Sequence, residues 1–145
     1  LIASILGISL GIHFVRDKLH RPKPLSAYET AVKKLAQTDP RKAQSGDELK
    51  ELYYRISRIL RDYFKEALSF GLAELTTREF LARLDGAAAV SGDIKDAVRS
   101  LVVRCDLVKF SGDTTNIDEL RSHFAAVKKI IDRINAAIAP KENKG

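Results

Sequence analysis

The 145-residue chain predicts an all-α fold, a cytoplasmic helical bundle of about five helices following the end of a transmembrane helix. Three observations lead there. Apolar residues recur at spacings of three and four along most of the chain, which is the signature of helices that bury one face. No stretch shows sustained alternation with a period of two between hairpin turns. Leu1 to Val15 holds no Asp, Glu, Lys or Arg, and bases follow it at once. With 45% hydrophobic and 30% charged residues the balance is that of a folded domain, so general disorder is excluded.

Residues 1–15 read as the C-terminal part of a transmembrane helix. At about 1.5 Å per residue they span roughly 22 Å, short of the roughly 30 Å hydrocarbon core. The chain starts at Leu1 rather than Met, consistent with a processed chain or a piece of a longer one. Gly7 and Gly11 form a small-xxx-small pair that lets helices approach closely, although simple packing explains it equally well. Arg16, Lys18, Arg21 and Lys23, with His20 among them and Asp17 alone opposed, make residues 16–25 a basic juxtamembrane linker. These four cations are the expected membrane-surface residues, facing anionic lipid, and by the positive-inside rule they place the rest in the cytoplasm of a single-pass inner-membrane protein. A secretory signal has the reverse order of charge and apolar run. The alternative is a buried helix of a soluble domain, against which stands the lack of a polar face in residues 1–15.

Pro22 and Pro24 break any helix, and residues 26–139 form the expected all-α domain. Ser26 with Glu29 is a capping box for a short helix over Ala27 to Ala36 presenting Ala31, Val32 and Leu35. Residues 37–46 are polar, contain Pro40 and read as a loop. The longest helix begins at Ser45 or Asp47, with Ser45 and Glu48 again at capping-box spacing. Its buried face is Leu49, Leu52, Tyr53, Ile56, Ile59, Leu60, Tyr63, Phe64 and Leu68, and Gly71 supplies the stop. The tyrosines Tyr53, Tyr54 and Tyr63 suit core packing with hydroxyls at the rim. Glu51 with Arg55 and Arg58 with Asp62 are i,i+4 pairs on the wetter side. Thr76 and Glu79 open a short helix burying Phe80, Leu81 and Leu84 and ending near Gly86. Ser91 is placed to cap the next, which buries Ile94, Ala97, Val98, Leu101 and Val102 and runs toward Cys105; residues 106–110 then carry the apolar Leu107, Val108 and Phe110, and a turn follows at residues 111–113. The last helix runs from about Asn116 to Ile138, buries Ile117, Leu120, Phe124, Val127, Ile130, Ile131 and Ile134, and stops at Pro140. Residues 140–145 form a charged tail.

Chemistry is sparse. Neither His13, His20 nor His123 has a second histidine or a cysteine three or four residues on, so no metal is expected, and there is no glycine-rich phosphate loop. Cys105 has no second cysteine and no evident base, and the carboxylate of Asp106 beside it disfavours a thiolate. No catalytic residue, metal ligand or cofactor is expected. The net charge of +6 raises the alternative of a soluble basic helical protein that binds nucleic acid. Yet residues 1–50 carry nine Lys and Arg against five Asp and Glu, while residues 51–140 carry fourteen against thirteen. The folded part is nearly neutral, which makes nucleic acid an improbable partner.

Three motifs in order, residues 53–63 (YYRISRILRDY), 75–81 (LTTREFL) and 105–110 (CDLVKF), behind a basic linker, resemble the cytoplasmic C-terminal domain of BatD-like (Bat, aerotolerance-type) bacterial membrane proteins and a related family of uncharacterised short membrane proteins. That resemblance covers nearly the whole chain. It implies a non-catalytic, membrane-anchored interaction module in a complex with a MoxR-type AAA+ ATPase and von Willebrand A-domain proteins, acting in envelope stress or as a chaperone. The motif residues Arg58, Arg61, Asp62, Asp106 and Lys109 are then either polar links between the long helix and the loop before the last helix, or part of a partner surface.

Overall fold

The computed structural model describes residues 25–140. Five α-helices follow one another: α1 (Ala27–Ala36), α2 (Gly46–Ala67), α3 (Thr77–Asp85), α4 (Gly92–Phe110) and α5 (Ile117–Ile138), with a 3-10 turn at Pro40–Lys42 between the first two. No strand occurs among the described residues, so the fold is the all-α bundle that the periodicity predicts. The segment read as membrane helix, the linker cations Arg16, Lys18, Arg21 and Lys23, and the tail after Pro140 lie outside the described residues. Among the described residues no helix is long and apolar enough to cross a membrane.

The helix starts follow from local chemistry. Four orphan amides open every helix, and a Ser, Thr, Asn or Asp side chain is the cheapest acceptor for one of them. Ser26 and Thr76 make full capping boxes, each hydroxyl accepting from the amide of a glutamate three residues on whose carboxylate reaches back. Asn116 accepts from Glu119 N–H to start α5. Ser45 completes only half of its box: its hydroxyl accepts from Glu48 N–H, but the Glu48 carboxylate turns to the amide of Gln44. Ser91 stands at the start of α4 without capping it, because its hydroxyl donates to Asp93 instead.

The end of α2 corrects the sequence reading. The helix stops at Leu68, and the first left-handed residue beyond it is Ser69 with φ +56°, two positions before Gly71 with φ +96°. An L-residue there carries a Cβ clash that glycine lacks. The chain accepts it and so turns early enough to send Phe70 back into the core, where it is 5% exposed.

Helix α2 is the spine. It packs against α1, α4 and α5, while α3 lies on α4. Tyr53, Ile56, Leu60 and Phe64 on one face of α2 are completely buried, as the spacing predicts. An aromatic cluster fills the end of the bundle nearest α3: the Phe64 ring lies 6.2 Å from Tyr63, 5.4 Å from Phe70 and 5.3 Å from Phe80, all edge to face. Edge-to-face rings set the positive rim of one against the negative face of the next. Tyr54 departs from its predicted core position and points outward, and Ala97 is exposed on the outer side of α4. Both sit about 100° from a buried neighbour, at the boundary where spacing alone does not assign a face.

Candidate functional site

Consecutive turns of α2 place Tyr54, Ser57, Arg58 and Arg61 along one side of the helix. Opposite them stand the segment Glu74–Thr77 that leads into α3, and Asp106, Lys109 and Phe110 at the end of α4. Together they line an open groove of about 480 Å³. Each of the three sequence motifs contributes a wall, and all five predicted site residues, Arg58, Arg61, Asp62, Asp106 and Lys109, line it.

They do different things there. The Arg61 guanidinium donates to the Leu75 carbonyl at 3.1 Å and to Thr77 Oγ1 at 2.7 Å, and lies 5.0 Å from the centre of the Phe80 ring. The Thr77 hydroxyl in turn donates to Asp106 Oδ2. Arg61, Thr77 and Asp106 thus form a neutral relay that ties α2, the start of α3 and the end of α4 together. It runs to the segment before α3, and not to the loop before the last helix as the sequence suggested. Asp62 sits between Lys34 on α1, at 3.5 Å, and Arg58, at 4.0 Å; both are surface pairs of small value.

Lys109 differs from these. Its ammonium lies 4.8 Å from the centre of the Tyr54 ring and 5.0 Å from that of Phe110, and among the described residues it makes no ion pair. Phe110 is 73% exposed and Tyr54 41%. Leu107 and Val103, one and two turns back along α4, are also exposed, so an apolar stripe leads away from the groove. On the groove's α2 wall Ser57 is 3% exposed and its hydroxyl has no hydrogen-bond partner. Leaving such a group unpaired costs about 1–3 kcal/mol.

A second polar cluster was not legible as a cluster. Arg104 grips Glu119 with two bonds, Nε to Oε1 and Nη2 to Oε2, and also donates to Asp113 Oδ2 at 2.8 Å and the Thr114 carbonyl at 2.9 Å. Thr115 Oγ1 donates to Glu119 Oε2 at 3.0 Å. The Tyr53 hydroxyl lies 3.1 Å from Thr115 Oγ1 and 2.8 Å from His123 Nδ1. Since the Thr115 proton is given to the carboxylate, one proton order satisfies the whole chain: His123 Nδ1–H to Tyr53, Tyr53 to Thr115, Thr115 to Glu119. The bond from Arg104 holds the Glu119 carboxyl below its ordinary pKa, and burial pushes Tyr53 up and His123 down. This cluster fastens the 111–116 turn onto α2 and α5. It is a clamp: its donors and acceptors are spent on one another.

That clamp has a pH signature. Below about 6.5 an unfolded histidine takes a proton that folded His123, with its lowered pKa, still refuses. The unfolded state then binds more protons, so the contribution of His123 to stability falls as pH drops from about 6.5 to the folded value and changes no further below it. Melting curves between pH 7.5 and 5 should show this decline, and His123→Gln should flatten it. An identical slope in the variant would remove His123 as its source.

Comparison of the chain with protein-family models, with curated proteins and with solved structures finds no match. Function therefore rests on the site. Among the described residues no group of three or more His, Cys, Asp or Glu is gathered as for a metal ion. The residues lining the groove include neither histidine nor cysteine, and Thr77, its most engaged hydroxyl, is held by Arg61 on one side and Asp106 on the other. Cys105 is fully buried, and burial pushes its thiol up to about 12, far from a nucleophile at neutral pH.

Proposed function

We propose that this bundle is a non-catalytic docking module of a membrane-anchored protein, working with a MoxR-type AAA+ ATPase and von Willebrand A-domain proteins in envelope stress or chaperone function. The single observation behind it is the meeting of the three motifs around one groove, with exposed Tyr54 and Phe110 and the unpaired Lys109 at its rim. Aromatic side chains left in water beside a cation are what protein interfaces use as anchors. The membrane anchor and the inner-membrane location belong to the same proposal and rest on residues 1–15 and on Arg16, Lys18, Arg21 and Lys23. Nucleic-acid binding is the weaker reading, since Arg58, Arg61 and Lys109 share the groove with Asp62, Glu74 and Asp106.

Co-purification from detergent-solubilised membranes tests it. The full-length protein should retain an ATPase or von Willebrand A partner through washes at moderate salt. Retention of neither class removes the proposal's main support.

A further inference from the structure

Resting on the docking-module reading, the chemistry of the groove also narrows what kind of segment it takes. Lys109 makes neither an ion pair nor a hydrogen bond among the described residues and stands between two exposed rings at the groove's rim. Arg58, 82% exposed, reaches only one edge of Asp62, at 4.0 Å, and remains able to turn to a second anion. The other basic wall residue, Arg61, is occupied by Leu75 and Thr77. Free positive charge thus lies at the Tyr54–Lys109–Phe110 end, while Glu74, a groove carboxylate that makes no ion pair among the described residues, stands in the segment that leads into α3.

Two further features fix what accompanies the charge. Val103, Leu107 and Phe110 stand at positions i, i+4 and i+7 of α4 and form an uncovered apolar stripe that begins at the rim. On the α2 wall Ser57 has a buried hydroxyl with no partner, between the turns that carry Tyr54 and Arg61. A buried hydroxyl of this kind is supplied with an acceptor when a ligand carbonyl or carboxylate enters.

We infer that the groove receives a short acidic segment of a partner protein carrying apolar residues beside its carboxylates. A glutamate or aspartate of that segment meets Lys109 and Arg58, an acceptor of the segment takes the Ser57 hydroxyl, and a neighbouring large apolar side chain covers Phe110 and Leu107. A purely polyanionic ligand leaves the stripe bare, and a basic one meets Lys109 as a like charge.

Fluorescence anisotropy with the full chain tests this, using three labelled decapeptides. The first places two glutamates around leucine and phenylalanine, the second has lysine for each glutamate, and the third has glycine for each apolar residue. The first should bind saturably and at least tenfold more tightly than either of the others. Lys109→Glu and Phe110→Ala, both at exposed positions, should each weaken it tenfold or more with the circular dichroism spectrum unchanged, Ser57→Ala severalfold, and the distant Lys129→Glu not at all.

Equal binding of the lysine peptide, wild-type affinity in both Lys109→Glu and Phe110→Ala, or no saturable binding would overturn the inference. Displacement by an equal concentration of a ten-nucleotide oligothymidylate would do so too, by showing a general polyanion site. Wild-type affinity in Ser57→Ala removes the hydroxyl contact. A partner that co-purifies equally well with Lys109→Glu leaves the docking module standing and moves its contact surface elsewhere.

Discussion

Phe64→Ala should lower folding stability by about 3–5 kcal/mol, the range for deleting a fully buried phenylalanine. The ring is completely enclosed and is the member of the aromatic cluster that touches Tyr63, Phe70 and Phe80 together. Its loss removes three edge-to-face contacts and opens a void between α2, α3 and the 68–70 turn, which large neighbouring rings refill poorly. Domains of this size are stable by only about 5–15 kcal/mol, so the variant should populate unfolded chain near body temperature. Urea denaturation followed by circular dichroism measures the change as a lower midpoint at unchanged slope. A loss under about 1 kcal/mol would show that the ring is not in the core.

Arg61→Ala comes next, at about 2–3 kcal/mol, because hydrogen bonds from a charged group to part-buried acceptors are worth more than neutral ones. It strands the Leu75 carbonyl, takes one partner from Thr77 and bares the face of Phe80. Lys109→Ala, four residues after Cys105 in the third motif, should cost under about 0.5 kcal/mol, since its ammonium makes only exposed ring contacts. The contrast divides the motif residues. If Lys109→Ala proved as damaging as Arg61→Ala, Lys109 would belong to the scaffold and the docking surface would lose its cation. A double-mutant cycle of Arg61 with Thr77 isolates the relay, whose coupling should exceed 0.5 kcal/mol, the level at which contacting residues depart from additivity.

These roles mark where sequence reasoning stops. Helix positions were legible because both determinants, the cap residue and the apolar stripe, lie within a few residues of each other: Ser26, Thr76 and Asn116 each start a helix where the pattern places one. The five groove residues were singled out together, but not what they hold. Arg61 bonds a backbone carbonyl, a group every residue owns, so nothing in the sequence distinguishes Leu75 as its partner. His123 looked solitary because its neighbour Tyr53 is 70 positions away. Arg104 meets Glu119 only after a turn folds the chain back between them, and residue types alone do not fix that turn. Ser69 turns left-handed two residues before Gly71 does, and Phe70 between them re-enters the core.

The buried Cys105 gives the bundle a built-in clock. It is the only thiol in the sequence, fully enclosed between helices, and its proton is held up to about pH 12. An alkylating reagent therefore meets a reactive sulfur only when α4 separates from its neighbours. Where closing is faster than labelling, the labelling rate reports the free energy of that opening; where it is slower, the rate of opening itself. The acidic segment proposed for the groove would touch the last turn of the same helix, so its grip would become readable as a slower tick at a sulfur it never contacts.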